Sequence, residues 1–299
     1  MEAWIFFIFI SEFIWAVTAI IDKFVLSKGY IRSAMVYIIL NGLMNVLIIF
    51  LLPFVQFSSI GNIDILIAIS NGIFLSLGVV LFYTAIQNEE VSRVSMMFTL
   101  IPVFVLILAF FILDEVLTLF HYIGFVLLVS ASILASYHHS KKKWVMNKAF
   151  YFMLASAIFI AFSWIAGKHI LSITNFWNAF LWLRLTNFVT LGLLFVPSIR
   201  NEFINTFRKM NNKIRGLLGF KMVVDFSAFA ISNLGIFFGT ATLTSALAGS
   251  ISPLLIFTLA ILASIFIPKI IKEELDFDSI LIKTASLILV IIGIIFINL

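Results

Sequence analysis

The sequence predicts an all-α integral membrane protein with ten transmembrane helices, built as two inverted five-helix repeats. Three observations support this fold class. The composition is 63% hydrophobic and only 11% charged, with 35 Phe among 299 residues, which leaves too little polar surface to cover a soluble protein of this size. Apolar runs of membrane-spanning length recur along the whole chain. The two halves of the chain also share the placement of proline and lysine.

The apolar runs account for nearly every residue. Met96 to Leu113 contains eighteen residues without a charge, and at about 1.5 Å per residue this run approaches the roughly 30 Å hydrocarbon core of a bilayer. Backbone in lipid must satisfy its own hydrogen bonds, so each run is predicted to be an α-helix. The ten predicted spans cover residues 3–25, 33–53, 64–86, 92–113, 117–137, 149–171, 176–197, 219–241, 244–267 and 279–298.

An internal duplication is predicted from three residue pairs that recur at nearly constant separation. They are Pro53 and Pro197 (144 apart), Pro102 and Pro253 (151 apart), and Lys23 and Lys168 (145 apart). Proline prefers helix ends and turns, so some pairing by chance is the alternative explanation. We predict a first repeat over 1–140, a basic connector over 141–148 and a second repeat over 149–299. Five spans per repeat is an odd number, so the second repeat is inverted, an architecture that recurs in secondary transporters.

The distribution of basic residues predicts the orientation. Of the 19 Lys and Arg residues, 17 follow spans one, three, five, seven and nine. The positive-inside rule therefore places these loops in the cytoplasm, including the connector with Lys141, Lys142 and Lys143, and places both termini outside. We expect a multi-pass protein of the cell membrane. The pI near 9.4 is explained by these loops, and nucleic acid is not an expected partner.

The first half contains the segment LFYTAIQNEEVSRVSMMFTLIPVFVLILAFFILDEVLTLFHYIGFVLLVSASIL. Tyr83 and Ala85 end its third span, Pro102 lies in the fourth, Glu115 precedes the fifth, and Gly124 follows early in the fifth. This pattern resembles the half-repeat of the EamA-type family in the drug/metabolite transporter superfamily.

The second half keeps part of the same pattern in Thr240, Ala241, Pro253 and Glu274, but it lacks the tyrosine. The resemblance thus covers both halves. It implies that spans one to four and six to nine surround a central cavity, while spans five and ten lie outside it. It implies fold more firmly than substrate.

Ionisable residues inside spans are expensive to bury and mark functional positions by default. Glu12 in the first span and Arg184 in the seventh lie at similar predicted depths of about 12–14 Å. One hypothesis is that Arg184 holds an anionic group of a substrate, or that Glu12 titrates during transport; the other is a static ion pair between them. Asp225 is predicted either to line the cytoplasmic mouth or to stabilise a helix N-terminus.

Uncharged polar and aromatic residues extend this candidate pathway. The residues predicted for the substrate or coupling-ion pathway, beside Glu12 and Arg184, are Trp15, Asn41, Tyr83, Trp164, Asn187 and Asn233, with Pro102 and Pro253 as soft points of the helices. A ring of amide and aromatic groups suits a small amphipathic molecule. The alternative is that the amides are hydrogen-bond links between helices.

Other chemistries find no support in the sequence. There is no cysteine, the four histidines are scattered at span ends, and no hydrolase, nucleotide or metalloprotease motif occurs. We therefore predict no metal, no cofactor and no enzymatic activity.

The predicted function is secondary transport of a small metabolite, amino-acid-like or otherwise amphipathic or anionic, by alternating access driven by a proton or substrate gradient. A flippase for lipids or lipid-linked sugars, and a non-transporting interaction protein, are the alternatives. Abundant Phe and Ile suit contact with bilayer lipid and with a second copy equally, so a homodimer stays open.

Overall fold

The computed structural model describes residues 3–112, 118–140, 143–146, 148–266 and 276–297, without the side chains of 136–147 and 297. Helical segments dominate these residues, as the composition predicts. They are α1 (Ala3–Ser27), α2 (Ala34–Phe54), α3 (Asn62–Asn88), α4 (Val91–Ile112), α5 (Leu119–Ser136), α6 (Lys148–Ile173), α7 (Phe176–Phe195), α8 (Pro197–Lys209), α9 (Asn212–Phe238), α10 (Ala241–Phe266) and α11 (Phe277–Ile297).

Eight of the described helices are long and apolar enough to cross a membrane, which confirms a multi-pass membrane protein. The other two predicted spans correspond to α5, whose apolar part Leu119–Ala135 is shorter, and to α9, which contains Lys221 and Asp225. Each predicted span therefore has a helical counterpart. The number of ten membrane crossings remains a prediction.

The polar segment between the seventh and eighth predicted spans is helical. Pro197–Lys209 forms the amphipathic helix α8, and α9 already begins at Asn212. Pro197 favours this helix because its fixed φ suits a first helical position, where no N–H is needed. Asn211 caps α9 by accepting a hydrogen bond from the backbone N–H of Ile214 at 2.8 Å.

A short antiparallel hairpin lies at the predicted connector. Strand β1 (Tyr137–Ser140) precedes the connector and pairs with β2 (Lys143–Met146) inside it, with Tyr137 opposite Met146. Lys141 and Lys142, and the motif residues Glu115 and Glu274, lie outside the described residues.

Two helices change geometry halfway along their length. The α-helical start of α2 ends at Gly42 and continues as a 3-10 helix over Leu43–Phe50. Helix α7 does the same, with a 3-10 helix over Asn187–Phe195. A Cβ on Gly42 would overlap the side chain of Thr190, so glycine permits the close contact of these two segments. A long 3-10 stretch inside a helix often marks a hinge.

Helix contacts follow a pattern of matched pairs. Helix α3 packs along α6, and α1 packs along α9; α4 contacts α6, and α1 contacts α10. Three further contacts, α5 with α11, α4 with α10 and α2 with α7, each join one helix from each half. When each helix is replaced by its counterpart in the other half, every contact in this set becomes another contact of the set or stays the same. A two-fold relation between the halves would require this pattern.

Two lysines occupy matching positions in this pattern. Near the end of α1, Lys23 Nζ donates to Ile86 O at 2.8 Å and to a second carbonyl at the end of α3 at 2.6 Å. Near the end of α6, Lys168 Nζ donates to Ile236 O at 2.8 Å and to a second carbonyl at the end of α9 at 2.5 Å. Each ammonium thus satisfies carbonyls that a helix C-terminus leaves unpaired.

The charge count behind the predicted orientation needs correction. Four of the 17 basic residues assigned to cytoplasmic loops lie within spans and make buried or half-buried contacts; they are Lys23, Arg93, Lys221 and Lys283. Arg93 and Lys283 both pair with Glu90, at 2.9 Å each. A buried cation that is paired inside the bundle carries no information on which side of the membrane a loop lies. Thirteen of the 17 basic residues therefore remain as evidence for the orientation.

Candidate functional site

A cavity of about 270 Å³ lies at the centre of the bundle. Its lining comes from eight helices, α1 to α4, α6, α7, α9 and α10, which are the counterparts of spans one to four and six to nine. Among the described residues, none of α5 or α11 lines it. This arrangement is the one that the family resemblance implied.

The cavity gathers eight of the ten residues predicted for the pathway. They are Glu12, Trp15, Asn41, Tyr83, Trp164, Arg184, Asn187 and Asn233. The two prolines are buried but do not line it. Pro102 instead packs against α10, where a Cβ on Gly249 would lie 2.8 Å from the proline ring. Pro102 therefore serves helix packing in this structure.

Arg184 is a buried cation that pairs with no carboxylate among the described residues. Its side chain is 2% exposed, and its Nε and Nη1 atoms have no hydrogen-bond partner among the described residues. The guanidinium lies over the ring of Phe229, 4.3 Å from its centroid, and 5.6 Å from that of Phe180. Cation–π contact offsets part of the desolvation of the charge, but it leaves the N–H groups free for an acceptor.

Glu12 is buried in the same cavity, at 4% exposure. Its carboxylate accepts a hydrogen bond from Ser252 of α10. No ion pair joins Glu12 to Arg184 in the part of the chain that the structure describes, so the hypothesis of a static pair was wrong. The two side chains face one cavity without pairing with each other.

The three cavity asparagines that the sequence predicted differ in their bonding. Asn41 donates to the hydroxyl of Tyr83, so it links α2 to α3, as the hydrogen-bond alternative predicted. Asn187 and Asn233 donate instead to carbonyls one turn back in their own helices, at 3.0 and 2.7 Å. Their carbonyl oxygens are therefore available on the cavity side rather than used to join helices.

The tryptophans form part of the aromatic lining. Trp15 meets the ring of Phe229 edge-on, with centroids 5.2 Å apart. The indole Nε1 of Trp164 is buried and has no partner among the described residues. An indole N–H usually finds an acceptor when it is buried, so this donor adds to the unpaired N–H groups of Arg184.

Sequence reasoning missed a charged cluster at one end of the cavity. Lys221 was counted as a loop residue, yet it is 1% exposed inside α9. Its Nζ lies 3.0 Å from Asp22 Oδ1 and forms an ion pair with Asp225 Oδ2 one turn later. It also donates to Asn41 Oδ1 at 3.2 Å. The spacing of four residues between Lys221 and Asp225 in an apolar helix is the signal that would have indicated a pair.

Asp225 corrects a second expectation. It lies thirteen positions after Asn212, where α9 begins, so it is far from the helix N-terminus and the dipole explanation is excluded. It is 5% exposed and lines the cavity. Its second oxygen, Oδ1, is buried without a hydrogen-bond partner among the described residues.

Comparison with known proteins gives a family match over the first half of the chain. Residues 2–137 match the sequence model of the EamA-like transporter family, which confirms the resemblance that the motifs indicated. A solved crystal structure that is 13% identical superposes with a TM-score of 0.65, over 99% of this chain and 95% of the other. At that identity the likeness shows the fold alone, but it extends through the second half. The comparison with curated proteins gives no match.

Proposed function

Because residues 2–137 match the EamA-like transporter family, we propose that this membrane protein is a secondary transporter of a small amino-acid-like or anionic amphipathic solute. The single observation that supports the substrate class most strongly is Arg184. Transport proceeds by alternating access, with the solute held in the central cavity between the two halves.

A buried guanidinium without a counter-ion favours an anionic ligand. Removing a charge from water is costly unless a partner and hydrogen bonds compensate. Two guanidinium nitrogens of Arg184, Nε and Nη1, have no hydrogen-bond partner among the described residues, and charge-assisted hydrogen bonds from a guanidinium to a carboxylate are strong. A substrate carboxylate at this position would accept a hydrogen bond from one of these nitrogens and balance the charge.

The rest of the lining suits an amphipathic molecule with a cationic group. The Glu12 carboxylate is an acceptor for an ammonium, and the indole of Trp15 and the ring of Phe229 provide an apolar surface. Drug-sized ligands occupy pockets of about 300–1,000 Å³. A cavity of about 270 Å³ therefore favours a small metabolite over a lipid or a lipid-linked sugar.

The two alternatives from the sequence find less support. A non-transporting interaction protein needs no cavity at its centre, whereas Glu12 and Arg184 both line one and no ion pair between them occurs among the described contacts. The small volume disfavours a flippase.

Alternating access requires halves that move against each other, and the proposed inverted repeat provides them. Its support is the matched set of helix contacts and the matching bonds of Lys23 and Lys168. The proposed hinges are the 3-10 segments of α2 and α7, which replace the predicted soft points at Pro102 and Pro253. We also propose that the protein resides in the cell membrane, with the connector in the cytoplasm and both termini outside, on the basis of the remaining basic residues.

The test is counterflow in proteoliposomes with labelled amino acids, organic anions, nucleosides and sugars. Wild-type protein is expected to exchange a solute that carries a carboxylate. Arg184→Ala should lower this exchange roughly 30-fold or more, since truncating one partner of a buried charge pair costs about 2–5 kcal/mol.

Arg215→Ala is the matched control, because Arg215 also lies over a phenylalanine ring, that of Phe207 at 4.8 Å, but outside the cavity. The control is expected to exchange solute like the wild type. Exchange that survives in Arg184→Ala, or that is confined to solutes without an anionic group, would contradict the assignment of Arg184.

A further inference from the structure

The cluster of Asp22, Lys221 and Asp225 is not explained by binding of an anionic solute. All three side chains are buried, with 4%, 1% and 5% of their surfaces exposed. The cluster joins α1 to α9 and lines the cavity beside α2 and α3. Two carboxylates share a single ammonium, so with both ionised the cluster has a net negative charge inside a membrane protein.

Lys221 has no donor left for a further bond. An ammonium has three N–H groups, and Lys221 directs them to Asp22 Oδ1, Asp225 Oδ2 and Asn41 Oδ1. The amide of Asn41 in turn donates to the Tyr83 hydroxyl. The cation is therefore saturated by the groups around it.

The two carboxylates are not equivalent. Asp22 accepts a hydrogen bond from the Tyr37 hydroxyl in addition to its contact with Lys221. Asp225 is bonded through Oδ2 alone, and its Oδ1 has no partner among the described residues although it is buried. A buried acceptor without a donor is costly, and here it belongs to the group that carries the unbalanced charge.

Few other titratable groups face this position. Tyr37 on α2 and Tyr83 on α3 are phenols, Glu12 lies further along α1, and Arg184 of α7 is the other cation in the cavity lining. Helix α10 has no titratable side chain, and Lys168 of α6 is bonded at the far end of α9. The charge of the cluster is thus set by its own three members.

We propose that Asp225 binds the coupling proton of this transporter at its Oδ1 atom. The proton is taken from water on one side of the membrane, forms an O–H bond to Oδ1 and is released to water on the other side, with no other bond made or broken. Protonation leaves Asp22 and Lys221 as a neutral pair, which balances the cluster. A metal cation fits less well, because no group of three or more acidic or histidine side chains with metal-binding geometry occurs among the described residues. The inference depends on the proposed function for its coupling role, but not for proton binding itself.

Proton binding is tested without any solute, by infrared difference spectroscopy of purified protein in proteoliposomes during a pH titration. Wild-type protein is expected to show a titrating carboxylic-acid C=O band that Asp225→Asn removes. This variant should fold, since it retains the neutral pair of Asp22 and Lys221. The matched control is Asp64→Asn, at a half-buried carboxylate that pairs with His169 at 2.7 Å. Glu12→Gln identifies any band that arises from Glu12. A band unchanged in Asp225→Asn would overturn the proposal.

Coupling is tested with the solute found by counterflow, as accumulation against its gradient under an imposed pH difference. Accumulation is normalised to the exchange that each variant supports. Asp225→Asn should lose pH-driven accumulation completely, whereas Asp64→Asn should keep it. Accumulation retained in Asp225→Asn, or driven by a sodium gradient in place of the pH difference, would refute the coupling role. If wild-type protein exchanges no solute, the proposed function fails, while the infrared result still decides whether Asp225 binds a proton.

Discussion

The interface of α1 with α9 and the interface of α3 with α6 occupy matching positions but contain different chemistry. With the halves aligned on Lys23 and Lys168, Asp22 corresponds to Gly167; aligned on Ile86 and Ile236, Lys221 corresponds to Asn71. The ion pair of the first interface, 3.0 Å long, is thus replaced in the second by Asn71 beside Gly167. A Cβ on Gly167 would lie 3.2 Å from Asn71 Nδ2.

At these matching positions the second interface has uncharged hydrogen bonds in place of an ion pair. Asn71 Nδ2 donates to the backbone oxygen of Ser163 at 2.7 Å and to its hydroxyl at 3.0 Å. The comparison indicates that the scaffold tolerates either solution for packing two helices. Charge at only one of two equivalent positions therefore points to a role beyond packing, which is the role that we assign to Asp225.

The largest expected effect is from removing the cation of the charged interface. Lys221→Met leaves two buried carboxylates without a counter-ion and should lower the free energy of unfolding by about 3–5 kcal/mol. The measurement is denaturant or thermal unfolding of the protein in detergent. Combining this change with Asp22→Asn and Asp225→Asn should restore most of the stability. A single variant as stable as the wild type would show that the charges are not buried as described.

A smaller effect is expected where the two halves use the same residue. Lys23→Met and Lys168→Met should each destabilise the protein by about 1.5–3 kcal/mol, because hydrogen bonds to charged groups contribute that much. The two losses should be similar, since each lysine bonds at least two carbonyls at a helix end. Lys28→Met, at an exposed position near the end of the first helical segment, is the control. Unequal losses would weaken the proposed repeat.

The smallest effect is expected at Asn71, the uncharged counterpart of Lys221. Asn71→Leu removes two hydrogen bonds between α3 and α6 and should cost about 0.6–1.7 kcal/mol, the range measured for such bonds in membrane proteins. The exposed Asn88, which donates to Thr84 O within its own helix, provides the control Asn88→Leu. A loss at Asn71 as large as that of Lys221→Met would remove the contrast between the two interfaces.

The sequence predicted the helices well because apolar length alone determines them in lipid. It also identified Glu12 and Arg184, since each interrupts an apolar run with a single charge. Lys221 was missed for the opposite reason: it follows Lys213 and Arg215 and so looked like the last residue of a basic loop. Its partner Asp22 lies in another half of the chain, and no pattern along the sequence shows that contact.

The change of α2 and α7 from α-helical to 3-10 geometry could not be predicted from the sequence either. Neither Leu43–Phe50 nor Asn187–Phe195 contains a proline, so no local residue type marks the change to 3-10 geometry. The close approach of Gly42 to Thr190 is a tertiary contact. It was the packing of the two halves, rather than local propensity, that decided the backbone there.

These two segments are longer than α-helices with the same number of residues would be. A 3-10 helix rises about 2.0 Å per residue against about 1.5 Å for an α-helix, so the eight residues of Leu43–Phe50 reach about 4 Å further than α geometry would allow. The nine residues of Asn187–Phe195 gain a similar distance. Rewinding either segment would shorten its helix without breaking the chain or moving the helix start. If one segment shortened to α-helical geometry while the other kept 3-10 geometry, the ends of α2 and α7 would shift in opposite senses relative to the rest of the bundle.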